Sequence, residues 1–305
     1  MKMLVFGHGY SAAFLTPLLR ERGWQVTGTT RAGSDRVAAA GAVPLLWPGE
    51  EARLQGEIAA ADAILLSIAP GPEGDPVLAA FRDDLARAKP RWLGYLSTTG
   101  VYGDRGGDWV DENSALDASG PRGQARIRAE GNWRALAEGA GLPLHIFRLA
   151  GIYGPGRGPF EKVRNGTARR IIKPGQVFSR IHAEDIARVL LASIDHPAPG
   201  TAYNVCDDDP APPQDVLAHA AELLGLPPPP EIPFDEAQMT PMARSFYTDS
   251  KRVSNRRIKE DLGVRLRYPD YRAGLAAILA AENALPGGSP HGLPPAPVHD
   301  RGHGT

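Results

Sequence analysis

The chain has 305 residues, of which 42% are apolar and 23% charged, values that exclude wholesale disorder and fibrous repeats and leave length for one large or two modest domains. Its 34 Lys and Arg against 35 Asp and Glu give a net charge of −1, so no global field draws it to nucleic acid or to an anionic membrane. The 35 glycines and 29 prolines, about a fifth of the chain, exceed average usage and demand many turns.

From Met1 the chain runs straight into a strand-and-glycine pattern instead of a signal peptide. Its longest apolar runs, such as Ala63–Ala69, fall far short of the ~20 residues that span a bilayer. The single cysteine, Cys206, cannot close an internal disulfide and reads as a small apolar filler at a strand end. A cytoplasmic protein is expected.

The runs Met3–Phe6, Gln25–Thr30, Ala42–Trp47, Ala63–Ala69, Trp92–Ser97 and Leu144–Leu149 are mostly too apolar for half-exposed strands and read as strands buried on both faces. Between them, Tyr10–Glu21, Val77–Ala88 and Gly123–Gly139 carry the mixture of alanine, leucine and charge that suits amphipathic helices. Strands alternating with helices predict an α/β fold, a doubly wound Rossmann-type parallel sheet with right-handed crossovers. After Leu149 the pattern changes to a turn-rich stretch, Gly151 to Pro159, and a basic helix-and-loop segment to Arg180. Helices are expected at Ala183–Ile194, Gln214–Leu224, Arg252–Asp261 and Tyr271–Glu282, with a strand at Ala202–Val205 and a stiff spacer at Pro227–Pro230. The expected division is a core over 1–150, a smaller C-terminal substrate-binding lobe interleaved with it over 151–285, and a disordered tail over 286–305. His291, His299 and His303 in that tail read as solvated side chains, and no metal site is expected.

Gly7-His8-Gly9-Tyr10-Ser11-Ala12 follows the first strand directly and opens a helix. Gly7 permits the tight turn, Gly9 lets a pyrophosphate approach the backbone, and Ala12 keeps helix and strand close, while the helix N-terminus offers free N–H groups and positive potential. The end of the fourth strand, Ser67-Ile68-Ala69, is placed with the cofactor. NAD-selective sites put a carboxylate at the end of the second strand to hold the ribose 2′-hydroxyl; here the strand ends Gly28-Thr29-Thr30-Arg31. Arg31, helped by Thr30, Ser34 or Arg36, instead suits a 2′-phosphate, so NADP is expected and NAD is the alternative.

Five segments in order carry a family resemblance: Gly7-x-Gly9-x-x-Ala12, Leu96 to Gly103, Phe147 to Arg157, Arg180 to Ala187, and Tyr203-Asn204-Val205. Over roughly residues 3 to 282 the chain resembles the extended or atypical short-chain dehydrogenase/reductases, the NAD-dependent epimerase/dehydratase group. Members that act on alcohols or ketones use a Ser or Thr, a Tyr, and a Lys four residues after the Tyr. The resemblance implies that Thr98 holds that hydroxyl place and that Pro121 to Glu130 is the Tyr-x-x-x-Lys-x-x-x-Glu helix. Arg122 then stands at the tyrosine and Arg126 at the lysine. Arginine stays protonated at any accessible pH, so Arg122 cannot relay a proton, although Arg126 can still hold a ribose or phosphate. The same arginines, with Arg128, would serve equally as an exposed helix face.

Tyr102 and Tyr153 follow strands at the sheet edge where a nicotinamide would lie, and either phenol is a candidate replacement acid beside Thr98. Each is also a natural core or cofactor-packing residue. The basic stretch Lys162, Arg164, Arg169, Arg170, Lys173 and Arg180 follows the glycine-proline loop. With Arg122 and Arg157 it supplies candidate contacts to an anionic small-molecule substrate, of which Arg122, Arg157, Arg164 and Arg180 are the leading ones. The expected function is an oxidoreductase or epimerase acting on a sugar, nucleotide-sugar or related carbonyl or hydroxyl compound, working as a monomer or homodimer. The rival reading is a catalytically inactive NADP(H) sensor, favoured by the loss of the Tyr and Lys.

Overall fold

The computed structural model describes residues 1–284, so the expected tail lies outside the described residues. In chain order the first half comprises β1 (Lys2–Phe6), α1 (Tyr10–Glu21), β2 (Gln25–Thr30), α2 (Ser34–Ala39), β3 (Val43–Leu46), α3 (Glu51–Ala60), β4 (Ala63–Leu66), α4 (Pro76–Arg87), β5 (Trp92–Thr98), β6 (Trp109–Val110), α5 (Pro121–Ala140) and β7 (Leu144–Leu149). Then follow β8 (Gly151–Tyr153), α6 (Phe160–Arg164), β9 (Arg170–Ile172), β10 (Arg180–His182), α7 (Ala183–Asp195), β11 (Ala202–Val205), α8 (Pro213–Leu223), β12 (Glu231–Pro233), α9 (Pro241–Phe246), β13 (Arg252–Val253), α10 (Arg256–Glu260) and α11 (Tyr271–Ala284).

Seven strands pair in parallel in the order β11-β7-β5-β4-β1-β2-β3, the doubly wound arrangement that the alternating sequence predicts. The chain winds outward from β1 through β2 to β3, then returns to lay β4 on the other side of β1. That reversal opens a crevice at the carboxyl ends of β1 and β4.

The period-2 alternation of a strand splits β1 between two cores. Met3 and Val5 pack with Leu15 and Leu19 of α1 and Ile186, Val189 and Leu190 of α7, whereas Leu4 and Phe6 pack with Leu54 and Ile58 of α3, Phe81 and Leu85 of α4 and Trp133 of α5. Burying each such side chain is worth ~1.5–3 kcal/mol relative to exposure, which is why helices cover both faces. Asp75 ties two of those helices together: its side chain caps α4 by accepting from the Val77 and Leu78 amides, at 2.9 and 3.2 Å, and accepts the Trp133 indole N–H at 3.0 Å. A third core, with Phe160, Val163, Val216, Ala220, Tyr271, Leu275 and Ile278, joins α6, α8 and α11. Among the described residues, no helix is long and apolar enough to cross a membrane.

Several expectations need correction. The strand expected over Ala63–Ala69 stops at Leu66, and Ser67–Ala69 turn away beside Gly7. Gly151–Tyr153, expected as turn, is strand β8, paired in parallel with β10. The helix expected over Arg252–Asp261 is only Arg256–Glu260, because Arg252 and Ser254 donate their amides to Asp108 and Val110 carbonyls and so build β13 against β6. Helices α2 and α3 and the short strands β6, β9, β12 and β13 were not legible from pattern. The four strands pair with partners dozens of residues away or more.

Candidate functional site

The turn between β1 and α1 is built as a cradle. Gly7 has a left-handed φ of +78°, and a Cβ there would sit 2.6 Å from Ile68 Cγ1, so only glycine fits against the Ser67–Ala69 turn. Its amide donates to Thr29 Oγ1 at 2.7 Å and the His8 amide to the Thr29 carbonyl at 2.9 Å, which locks the turn to β2. Gly9 occupies the N-cap of α1, where no side chain caps the first-turn amides. Ala12 is fully buried between α1 and the sheet. His8 points inward: its ring lies against Gly28, where a Cβ would come within 2.6 Å, and Nε2 meets Thr16 Oγ1 at 2.8 Å. Burial pushes the His8 pKa below its usual range, so its ring is a neutral brace.

At the end of β2, Thr30 Oγ1 donates to the Ala32 carbonyl, while Arg31 and Arg36 are exposed. Arg36 folds toward Gly33, where a Cβ would meet Nε at 3.4 Å. Neither Arg31 nor Arg36 has an ion pair or a side-chain hydrogen bond among the described residues. Ser34 begins α2, and Asp35 in its first turn is exposed.

Thr98 ends β5 half-buried, and its Oγ1 accepts from the Gly100 amide at 3.1 Å, which starts the short helical turn Thr99–Tyr102. The N-terminal end of α5 packs directly on that turn. Gly123 permits this: a Cβ there would lie 2.3 Å from the Ala118 Cβ and 3.1 Å from the Gly100 carbonyl. Arg122 and Arg126 therefore stand on the end of α5 that packs against the turn after Thr98. Arg122 is exposed, whereas Arg126 donates to the Leu96 carbonyl at 2.6 Å and the Tyr95 hydroxyl at 3.1 Å. Burial lifts the Tyr95 phenol to about 12, so it meets Arg126 as a neutral hydroxyl.

The hydroxyls of the two candidate tyrosines are taken up by other partners. Tyr102 is fully buried, donates to Asn204 Oδ1 at 2.7 Å and accepts from Arg148 at 2.8 Å. Tyr153 is 8% exposed, donates to the Asp270 carbonyl at 3.2 Å and sets its ring edge-on to His182. Burial raises both phenol pKa values, and proton transfer from either would require breaking these bonds. His182 Nδ1 accepts from the Glu184 amide at 3.2 Å and so caps α7; burial, with Arg267, lowers its pKa to about 4.

The basic stretch does not gather into one patch. Arg164 pairs with Glu282 at 2.6 Å and Arg170 with Glu231 at 3.1 Å, Lys173 donates to the Tyr247 carbonyl, and Arg180 donates to the carbonyls of Phe178 and Ala211, both at 2.9 Å. Arg157 lies elsewhere, with its guanidinium 5.6 Å from the Tyr10 ring centroid, beside the first turn of α1. Sequence reading missed Asp207, which follows β11. It is 1% exposed, and neither carboxylate oxygen closes an ordinary hydrogen bond. Burial lifts its pKa to about 8, only partly offset by Arg180 and the Asp209 amide. Its signal, the first of three consecutive aspartates after Tyr203-Asn204-Val205-Cys206, is indistinguishable in sequence from a solvated loop acid.

Residues 76–206 match the model of the NAD-dependent epimerase/dehydratase family. A structure of a functionally unknown conserved protein from Silicibacter pomeroyi is 58% identical over 92% of this chain and 98% of that one, with a TM-score of 0.85. A Streptomyces protein described as 3-diazoavenalumate denitrifying reductase is 30% identical over 181 residues, 54% of this chain; the match spans 58% of that protein's length. The UDP-glucose 4-epimerase of Thermotoga maritima, solved with UDP-glucose, shares the fold at 16% identity, with a TM-score of 0.77 and coverage of 93% and 99%.

Proposed function

We propose, on the premise of the match of residues 76–206 to the NAD-dependent epimerase/dehydratase family, that the chain binds NADP(H) and acts as an oxidoreductase or epimerase on a small, anionic carbonyl or hydroxyl compound. The observation that carries the reading is the Gly7 cradle, closed by Ile68 and Thr29 at the strand-order reversal and followed by the uncapped N-terminus of α1. A dinucleotide fits these residues: a Cβ at Gly7 would fill the cradle, and the first-turn amides of α1 offer donors to a pyrophosphate.

When bound, the nicotinamide supplies or accepts the hydride. The amides of Tyr10, Ser11 and Ala12 hold phosphate oxygens, and Ser67, Ile68 and Ala69 wall the crevice. Arg31, with Thr30 and Arg36 beside it, receives the 2′-phosphate; two exposed, unpaired guanidinium groups and no carboxylate at the end of β2 support NADP over NAD. Arg126, fixed on the Leu96 carbonyl, turns its remaining N–H donors toward a ribose. Thr98 orients the substrate oxygen, and Arg122 at the mouth contacts its charge. The core over 1–150 carries the cofactor and the segments over 151–285 the substrate.

A second reading, an NADP(H) sensor without turnover, draws on the hydrogen-bonded burial of Tyr102 and Tyr153 and on the guanidinium groups at 122 and 126. Titration of the purified chain with NADPH and NADH tests the shared part. NADPH is expected to bind more tightly, with the preference reduced about 10-fold or more in Arg31→Ala; NADH binding more tightly than NADPH refutes the assignment. Challenge of the NADPH-loaded chain with sugars, nucleotide sugars and simple carbonyls separates the readings. Cofactor oxidation that falls in Thr98→Ala supports the enzyme, and intact binding with no oxidation across the panel supports the sensor.

A further inference from the structure

The loop after β8 does not lie with the rest of the basic stretch. Gly154 and Arg157 close a turn on each other, with amide-to-carbonyl bonds of 3.1 and 2.9 Å. That turn is fastened to the start of α1. The Tyr10 hydroxyl donates to the Pro155 carbonyl at 2.9 Å, across 145 residues of sequence. Gly154 makes room for the contact, because a Cβ there would lie 2.6 Å from the Tyr10 oxygen and 3.3 Å from Ala183 Cβ. Tyr10 is itself held edge-on by Phe14, at a centroid separation of 5.2 Å.

Arg157 is the charged end of this arrangement. Its guanidinium stacks on the Tyr10 ring, and its side chain forms no hydrogen bond or ion pair among the described residues. Glu184, an acid close enough to act on the Tyr10 phenol, is engaged by Arg267 at 3.0 Å. An arginine without a partner is expected to seek a carboxylate; this one lies over the ring of the first residue of the helix whose first-turn amides no side chain caps.

Resting on the dinucleotide-binding reading above, we infer that Arg157 belongs to the cofactor and not to the substrate: it adds a cation to the pyrophosphate site at the start of α1, and the Tyr10–Pro155 bond holds it there. The contact makes the loop over the substrate side part of the cofactor site. Dinucleotide binding then clamps that loop, and its substrate-facing residues are ordered when the cofactor is in place.

Fluorescence titration of the full chain with NADPH and with NADH, in Arg157→Ala, Arg157→Lys and Tyr10→Phe, tests the inference, with thermal melting to confirm that each variant folds. Arg157→Ala is expected to weaken both dinucleotides by the same factor, about 10- to 100-fold, and to flatten the salt dependence of binding. Arg157→Lys, which keeps the charge, is expected to recover most of the loss, and Tyr10→Phe to cost about 2- to 10-fold. Unchanged affinity in Arg157→Ala, as a substrate-only role requires, overturns the inference and leaves the cofactor reading standing. A loss confined to NADPH overturns it in favour of the 2′-phosphate. Failure of the unsubstituted chain to bind either dinucleotide overturns the cofactor reading and this inference together.

Discussion

Arg148 of β7 and Glu130 of α5, 3% and 0% exposed, are buried where that helix meets the sheet, and Asp207, at 1%, is buried just beyond the end of β11. Arg148 meets Glu130 through two bonds of 2.9 and 3.2 Å and also donates to Tyr102; Ser97 donates to Glu130 at 2.6 Å, and Tyr102 passes the chain on to Asn204. Burial pushes the Glu130 carboxyl up, but Arg148 and Ser97 outweigh it and hold the group below the usual carboxylate range. Asp207 has no such set of donors, and burial wins, keeping it protonated to about pH 8. Equal burial thus yields opposite charge states, and the number of donors in place decides which. The first group is a closed brace beneath the site. The second is an open one.

The comparison breaks most easily at Glu130. Glu130→Ala leaves the Arg148 guanidinium buried without its counter-charge and is expected to cost about 3–5 kcal/mol in denaturant unfolding; a cost below about 1 kcal/mol would mean that the brace is not closed. Tyr102→Phe is expected to cost about 1–3 kcal/mol, since it strands both the Asn204 oxygen and an Arg148 donor. Replacing Asp207 should act in the other direction. Because its folded pKa lies above the unfolded value near 4, the stability it contributes is complete below pH 4 and is lost as pH climbs through 8. Asp207→Asn is therefore expected to raise Tm at pH 8, by about 2–4 °C per kcal/mol recovered, and to do nothing at pH 4. An unchanged melting profile at pH 8 would show that Asp207 already has its partner.

The histidines set the opposite slope. Burial, helped at His182 by Arg267, depresses His145 and His182 to about 4, so their contribution is present above pH 6.5 and lost as pH falls through 4. The His145 Nε2 accepts the Ala198 amide at 2.9 Å, a bond that protonation removes.

Much of the site was legible because its chemistry is local. Gly7, Gly9 and Ala12 act within one strand-to-helix turn, and their spacing announced it. Arg122 and Arg126 fall at fixed helical offsets, so their place in the first turns of α5 needed only the helix. The two tyrosines differ, since a residue after a strand can turn toward the crevice or into the core with the same local sequence. The basic stretch dispersed for a like reason: Glu282 and Glu231, which take Arg164 and Arg170, stand 118 and 61 residues away.

By itself the sequence determined the parallel sheet and the glycine turn between β1 and α1, because periodicity and glycine spacing are properties of short segments. Tertiary structure alone decided that Tyr102 is a brace held by Asn204, that Arg157 stacks on Tyr10, and that Asp207 is sealed from water. Those outcomes depend on which distant groups arrive as partners. Burial then turns their presence or absence into charge and hydrogen bonding, and no local pattern records either one.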